Sequence, residues 1–150
     1  SSITVNWSSA GSNDVTCVVG STDENWDNTT QSDTLNVTVA ESFADRVAGA
    51  DVSVVVTVAD TGNGNKYQID GVEQAEITAN ATETIHFDLS DASLSGHPLK
   101  IYTDATKITE VTVGIEQEGT DLLFTPPIAG SFSYQCANHA NMGGDITVNA

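Results

Sequence analysis

The sequence has little positive charge. Only 4 of its 150 residues are Lys or Arg, against 21 Asp or Glu, for a formal net charge of −17. That balance argues against nucleic-acid binding, which needs clustered Lys and Arg to neutralise phosphates. It also opposes docking on anionic membrane surfaces. No apolar run approaches the roughly 20 residues that a membrane-spanning helix requires. Leu is sparse, and Thr, Ser, Val, Asn and Asp dominate, which favours strands and turns over helices. There is no nucleophile elbow, no metalloprotease helix and no carboxylate pair that stands out as acid and base, so the chain reads as a non-enzyme. An acidic coat keeps a β protein soluble, discourages strand edges from pairing and attracts cations or a basic partner.

Sulfur and imidazole are also scarce, with two Cys, one Met and three His. Three of these six residues fall within seven positions. Cys136, His139 and Met142 stand at C-x-x-H-x-x-M spacing, with β-rich residues before and after. One curled loop between two strands can turn all three toward a point. A thiolate and an imidazole suit copper or zinc, and a thiolate with two imidazoles and a weak thioether is the blue-copper arrangement. The second imidazole is missing from the loop, and His97 in Ser95-Gly96-His97-Pro98-Leu99 is the best candidate. Pro98 stiffens the backbone beside it, and Gly143-Gly144 permits a tight exit into the last strand. Asn138 or Ser95 is placed to hydrogen-bond near the sulfur and hold the loop. Copper is the first choice and zinc in a Cys, two-His site the runner-up. The bland alternative is a metal-free framework loop, with Cys136 and Met142 packed as core and His139 at the surface.

The two cysteines leave two readings. Either Cys17 and Cys136 form a disulfide, or Cys17 is a buried strand residue in Val15–Val19 and Cys136 is a ligand. His139 and Met142 have no reason to flank a structural disulfide, which favours the second.

Along the chain, Ile3–Trp7, Val15–Val19 and Leu35–Val39 read as strands. Glu41–Gly49 is the only plausible helical piece, with Phe43, Val47 and Ala48 as a small apolar stripe. Val52–Val58 is a β-branched run expected to be a strand buried on both faces. Asn63-Gly64 favours a tight hairpin turn. It marks either a hairpin joining Val52–Val58 to Tyr67–Ile69 or a domain boundary, and the boundary is preferred. The expected units are therefore 1–62, an N-terminal β-rich segment suited to assembly or docking, and 63–150, a β-sandwich. The strands expected in the second unit are Tyr67–Ile69, Ala75–Ala79, Thr84–Leu89, Leu99–Tyr102, Val111–Ile115, Leu122–Thr125, Ser131–Gln135 and Ile146–Val148. His86 alternates with Ile85, Phe87 and Leu89, so it is expected as a solvated strand histidine. Asp23-Glu24-Asn25-Trp26-Asp27-Asn28-Thr29 begins like a calcium loop, but Asn28 stands where the turn glycine belongs and Thr34 where the bidentate Glu belongs.

With these residues in view, the C-terminal part resembles a cupredoxin. In that family one histidine sits early in the sandwich, and cysteine, histidine and methionine follow on the loop before the last strand. Carried over, the resemblance implies His97, Cys136, His139 and Met142 as ligands. Three blocks carry it: Lys66 to Gln74; Ile85 to Asp91 with Ser95 to Leu99; and Tyr134 to Gly144. The blocks are most similar to cupredoxin-like domains of marine phages and bacteria, and the likeness covers about residues 63–150. It implies an all-β, cupredoxin-like Greek-key β-sandwich with an additional N-terminal β segment or small β domain. Two functions follow. The first is a virion or surface structural protein, a capsid decoration or appendage subunit able to hold one copper ion, with other protein subunits as partners. The second is a secreted or periplasmic type 1 copper electron carrier, with a basic redox partner. The chain opens Ser1-Ser2-Ile3-Thr4-Val5 with no visible signal peptide. That fits a cytosolic product without its initiator Met, or a secreted product after cleavage.

Overall fold

The computed structural model describes residues 41–150. The expected strands at Ile3–Trp7, Val15–Val19 and Leu35–Val39, the calcium-like loop and Cys17 lie outside the described residues. Arg46–Ala150 forms one compact unit.

The first element among the described residues is a short helix, α1 (Phe43–Ala48), close to where the apolar stripe placed it. Ser42 starts it: the Asp45 amide donates to Ser42 Oγ at 3.1 Å, and the Ser42 amide donates back to the Asp45 carboxylate at 3.2 Å. This reciprocal capping satisfies two end groups that six residues of helix leave open.

Ten strands follow: β1 (Val52–Asp60), β2 (Asn65–Ile69), β3 (Val72–Glu73), β4 (Ile77–Asn80), β5 (Ile85–Asp88), β6 (Leu99–Tyr102), β7 (Ile115–Glu118), β8 (Asp121–Phe124), β9 (Gly130–Cys136) and β10 (Gly143–Asn149). They form two sheets, ordered β3-β2-β1-β5-β8-β7 and β4-β10-β9-β6. The β1–β5 and β4–β10 pairs are parallel, and the other ladders are antiparallel. Alternate residues from the inner faces meet in one core. Val56, Tyr67, Ile85, Phe87 and Phe124 come from the first sheet and Tyr134, Cys136 and Ile146 from the second, all wholly buried. The fold is thus the all-β sandwich that the strand and turn pattern implies.

Four expectations change in detail. The Asn63-Gly64 turn closes a hairpin: β1 and β2 pair from Val56↔Ile69 to Asp60↔Asn65. The alternative weighed for this turn is therefore what the chain forms, and residues 52–60 are an inner strand of the same sandwich. That strand is buried on one face only. Val54 and Val56 point inward, while Val55 is 48% exposed. β-Branched side chains stabilise an extended backbone whichever way they face, so composition overstated the burial.

The expected strand at Val111–Ile115 begins later. Tyr102 and Glu110 make a single bridge, and the regular strand starts at Ile115. Gly114 intervenes at φ +75°, and a Cβ there would collide with the Thr125 carbonyl. The left-handed backbone and this close approach both need glycine, and they break the run.

His86 is not solvated. It is 7% exposed and opposes Ser53 across β1 and Leu123 across β8. Its Nδ1 lies 2.9 Å from Ser53 Oγ and its Nε2 lies 2.7 Å from Asp121 Oδ1. Alternation correctly put His86 on the face opposite Ile85 and Phe87, but that face is covered here.

Candidate metal centre

Two ladders deliver the donors. Cys136 is the last residue of β9, paired opposite Leu99 of β6. His97 lies two residues before that partner, so the β6–β9 register fixes how far apart the two side chains start. A tight turn leads to His97. Asp91 caps the 3-10 turn Ala92–Leu94 by accepting from the Ser93 amide. Gly96 then turns the chain at φ +80°, and the His97 amide donates to the Leu94 carbonyl at 2.8 Å. The Ala137 amide donates to the Pro98 carbonyl at 2.9 Å, which ties the far side of Cys136 to the same turn.

The loop from Cys136 to Met142 is closed by its own backbone. The Cys136 amide donates to the Met142 carbonyl at 2.8 Å. Asn141 adopts φ +55° just before the chain re-enters the sheet. Asn138 donates from Nδ2 to the Gly96 carbonyl at 3.0 Å, joining the loop to the His97 turn. This is the loop-holding work expected of Asn138, although it acts on a carbonyl and not on the sulfur.

The donors converge. Cys136 Sγ lies 3.3 Å from His139 Nδ1 and 4.0 Å from His97 Nδ1. The two imidazole rings are 4.6 Å apart between centres. One ligand atom from each of His97, Cys136 and His139 falls within 4.8 Å of the others. Bonds of about 2.0 Å to nitrogen and 2.3 Å to sulfur, opened to a trigonal or tetrahedral angle, place the two ligand atoms roughly 3.6 Å apart. The observed 3.3 and 4.0 Å bracket that value, so the trio fits a single transition-metal ion. Cys136 is a free thiol and wholly buried. His97 is half-buried and His139 exposed. Met142, at the end of the loop, is also wholly buried.

Several residues around the trio were not singled out from sequence. Tyr67, buried on β2, donates its hydroxyl to the His97 carbonyl at 2.8 Å. Burial, with Cys136 nearby as a lesser influence, holds its phenol well above the usual tyrosine range. Asn65 places its side-chain amide 3.4 Å from His97 Nε2. Lys107 donates to the carbonyls of both Cys136 and His139 at 2.8 Å. The one available signal for these partners was the rarity of lysine in the chain.

No protein-family model matches the chain, and no curated protein matches it in sequence. Solved structures similar to it include rusticyanin from Thiobacillus ferrooxidans (TM-score 0.41, 17% identity, 65% of this chain and 76% of that one). Another is native pseudoazurin from Hyphomicrobium denitrificans (TM-score 0.43, 16% identity, 65% and 73%). A third is auracyanin B (TM-score 0.44, 15% identity, 67% and 91%).

The molecule combines a two-sheet sandwich, a histidine leading into the edge strand β6, and Cys, His and Met on the loop before the last strand. The described residues thus form the all-β sandwich with the donor loop that the resemblance to cupredoxins implies. Within this sandwich, the donors come from the turn before β6 and the loop after β9.

Proposed function

We propose that the domain binds one copper ion through His97, Cys136 and His139, with Met142 as a weak fourth ligand, and that it carries single electrons. The observation behind this reading is the convergence of one buried thiol and two imidazoles within 4.8 Å. When bound, copper supplies a one-electron redox couple. The chain's own residues do the rest. The sandwich buries the sulfur and keeps it from oxidising or pairing with other thiols. The β6–β9 ladder and the closed Cys136–Met142 loop hold the donors in place before any ion arrives. His139, the exposed donor, offers the edge by which an electron enters or leaves. The acidic surface favours a basic redox partner. A secreted or periplasmic setting suits a carrier of this kind.

The test is titration of the metal-free protein with copper. The expected result is one ion per chain and an intense visible absorption from thiolate to copper that disappears on reduction and is absent in Cys136→Ser. A colourless protein that holds only zinc sinks the reading.

A second reading keeps the sandwich as a module in a virion or surface structural protein, a capsid decoration or appendage subunit whose partners are other protein subunits. In its favour, the sandwich is compact from Arg46 to Ala150, so an electron carrier has no evident need of residues 1–45. In that role a metal would pin the loop and stabilise the fold. Sedimentation of the protein from its native source decides: travel with a large particle supports this reading, and a free 15.6 kDa monomer removes it.

A further inference from the structure

The chain has four cationic side chains and 21 carboxylates to pair them with. Two take the expected partners: Arg46 pairs with Glu116 and Lys100 with Glu110 at 2.9 Å. Neither Lys66 nor Lys107 lies within ion-pair distance of a carboxylate among the described residues. Both reach carbonyls of the ligand loop instead. Lys66 Nζ donates to the Asn141 carbonyl. Lys107 Nζ donates to Cys136 and His139 at 2.8 Å each, spanning two of the three donors with one ammonium.

Lys107 is also held in place for this. Its backbone adopts φ +60°, which costs a non-glycine residue energy and persists only where the surroundings enforce it. The enforcement is local. The Asp104 carboxylate accepts from the Thr106 amide at 2.8 Å and from the Thr106 hydroxyl. The Lys107 amide donates to the Asp104 carbonyl at 3.3 Å, and Thr103 and Thr109 close the loop at 3.0 Å. Half-buried, the ammonium sits where water screens it less than on an open surface.

We infer that Lys107 is a positioning residue of the ligand loop, and that its fixed positive charge beside Cys136 favours the reduced state of a bound copper ion. The second half rests on the copper reading above. The ammonium cross-links the start and middle of a loop that lies outside the sheet ladder, so it limits the loop's openings in the metal-free protein. A copper(II) ion on a thiolate carries one more positive charge than copper(I) on the same thiolate. A neighbouring cation therefore disfavours the oxidised state and raises the reduction potential.

The experiment compares Lys107→Gln and Lys107→Arg with the unaltered protein by two measurements. The first is hydrogen exchange in the metal-free protein at the Cys136 and Ala137 amides, with the β1–β2 hairpin amides as a control for global folding. Lys107→Gln should speed exchange about tenfold at the two loop amides and leave the hairpin unchanged, and Lys107→Arg should restore most of the protection. Rates within twofold of the unaltered protein overturn the positioning role. Equal acceleration at the hairpin overturns it too, because the effect is then global. The second measurement is the reduction potential of the copper-loaded protein. Lys107→Gln should favour the oxidised ion about tenfold, a fall of about 59 mV for one electron, while Lys107→Arg stays near the unaltered value. A potential that follows loop exchange and not charge overturns the electrostatic half. If the unaltered protein takes up no copper, the copper reading and the electrostatic half fall together, while the exchange data still decide the positioning role.

Discussion

Replacing Tyr67 with Phe should separate the contribution of one hydrogen bond from that of packing. Tyr67 is wholly buried, and its ring packs against Tyr134 at 6.2 Å between centres. Phe keeps the ring and opens almost no void. What is lost is the 2.8 Å bond to the His97 carbonyl, which then sits against the core without its phenol donor. Leaving a buried acceptor unpaired costs about 1–3 kcal/mol, so the expected loss is about 1–2 kcal/mol. For a domain near 100 residues that corresponds to a fall in Tm of about 5–10 °C. The assay is urea and thermal unfolding of the metal-free protein. Tyr134→Phe is the matched control, since its hydroxyl donates to the Ala75 carbonyl at 2.7 Å, away from the donors. Both variants should lose similar stability, but only Tyr67→Phe should speed exchange at the Ala137 amide, which is bonded to Pro98 beside His97. A Tyr67→Phe protein within about 0.5 kcal/mol of the original, in the range of neutral surface changes, would refute the reasoning.

Other perturbations have equally definite outcomes. Gly144→Ala should cost about 1–3 kcal/mol by overpacking, because its Cβ would meet the Tyr134 hydroxyl and lie 2.7 Å from the Gln74 carbonyl; urea midpoints measure it, and a neutral result means β10 can shift. His86→Ala should lose about 1–3 kcal/mol through its two hydrogen bonds, to Ser53 and Asp121, at about 0.5–1.5 kcal/mol each, read by the same unfolding curves. Hydrogen bonds from Ser90, Ser93 and Thr106 hold the carboxyls of Asp88, Asp91 and Asp104 below their usual range. Their stabilisation is therefore complete above the ordinary carboxylate range, about pH 4, and is lost as pH falls through the lower folded values. Unfolding midpoints between pH 7 and 2 should show that loss, reduced in Asp104→Asn. Burial raises the phenols of Tyr67 and Tyr134, so stability should decline above about pH 10, with these two rings ionising only on unfolding in an ultraviolet titration.

The parts of the fold and site that could be read from sequence are those whose cause is local. Leu99–Tyr102 was placed to the residue, and Cys136, His139 and Met142 declared themselves, because a seven-residue loop needs no knowledge of the sheets. His97 stands 39 positions from Cys136, so its candidacy rested on residue type and not on a local spacing. Tyr67, Asn65 and Lys107 stayed hidden for the same reason. Each reaches the site across about 30 residues of chain, and only strand pairing brings them there. His86 and Val55 show the limit of periodicity from opposite sides. Alternation tells which residues share a face, but not whether that face is covered. His86 and Val55 share the outer face of the first sheet, His86 on a covered part of it and Val55 on an open part.

The donor set is therefore held by two different means. His97 and Cys136 owe their separation to the Leu99↔Cys136 register. A slip of one residue would turn Cys136 to the other face of the sheet, so this half of the site is as secure as the core that fixes the register. His139 has no such ladder. It lies in a loop closed by the backbone bond from Cys136 to Met142, tied at Ala137 to the Pro98 carbonyl and otherwise held by side chains. Asn138 holds the loop to the His97 turn, and Lys107 and Lys66 hold its carbonyls. In so acidic a chain a free ammonium would ordinarily find a carboxylate, so the use of two out of four cations on one loop is the strongest sign that its shape matters. A donor set already in place loses little ordering entropy when an ion binds, and it resists the change in geometry that each oxidation state would otherwise prefer. Both properties suit an ion that gives up and regains one electron without rearrangement.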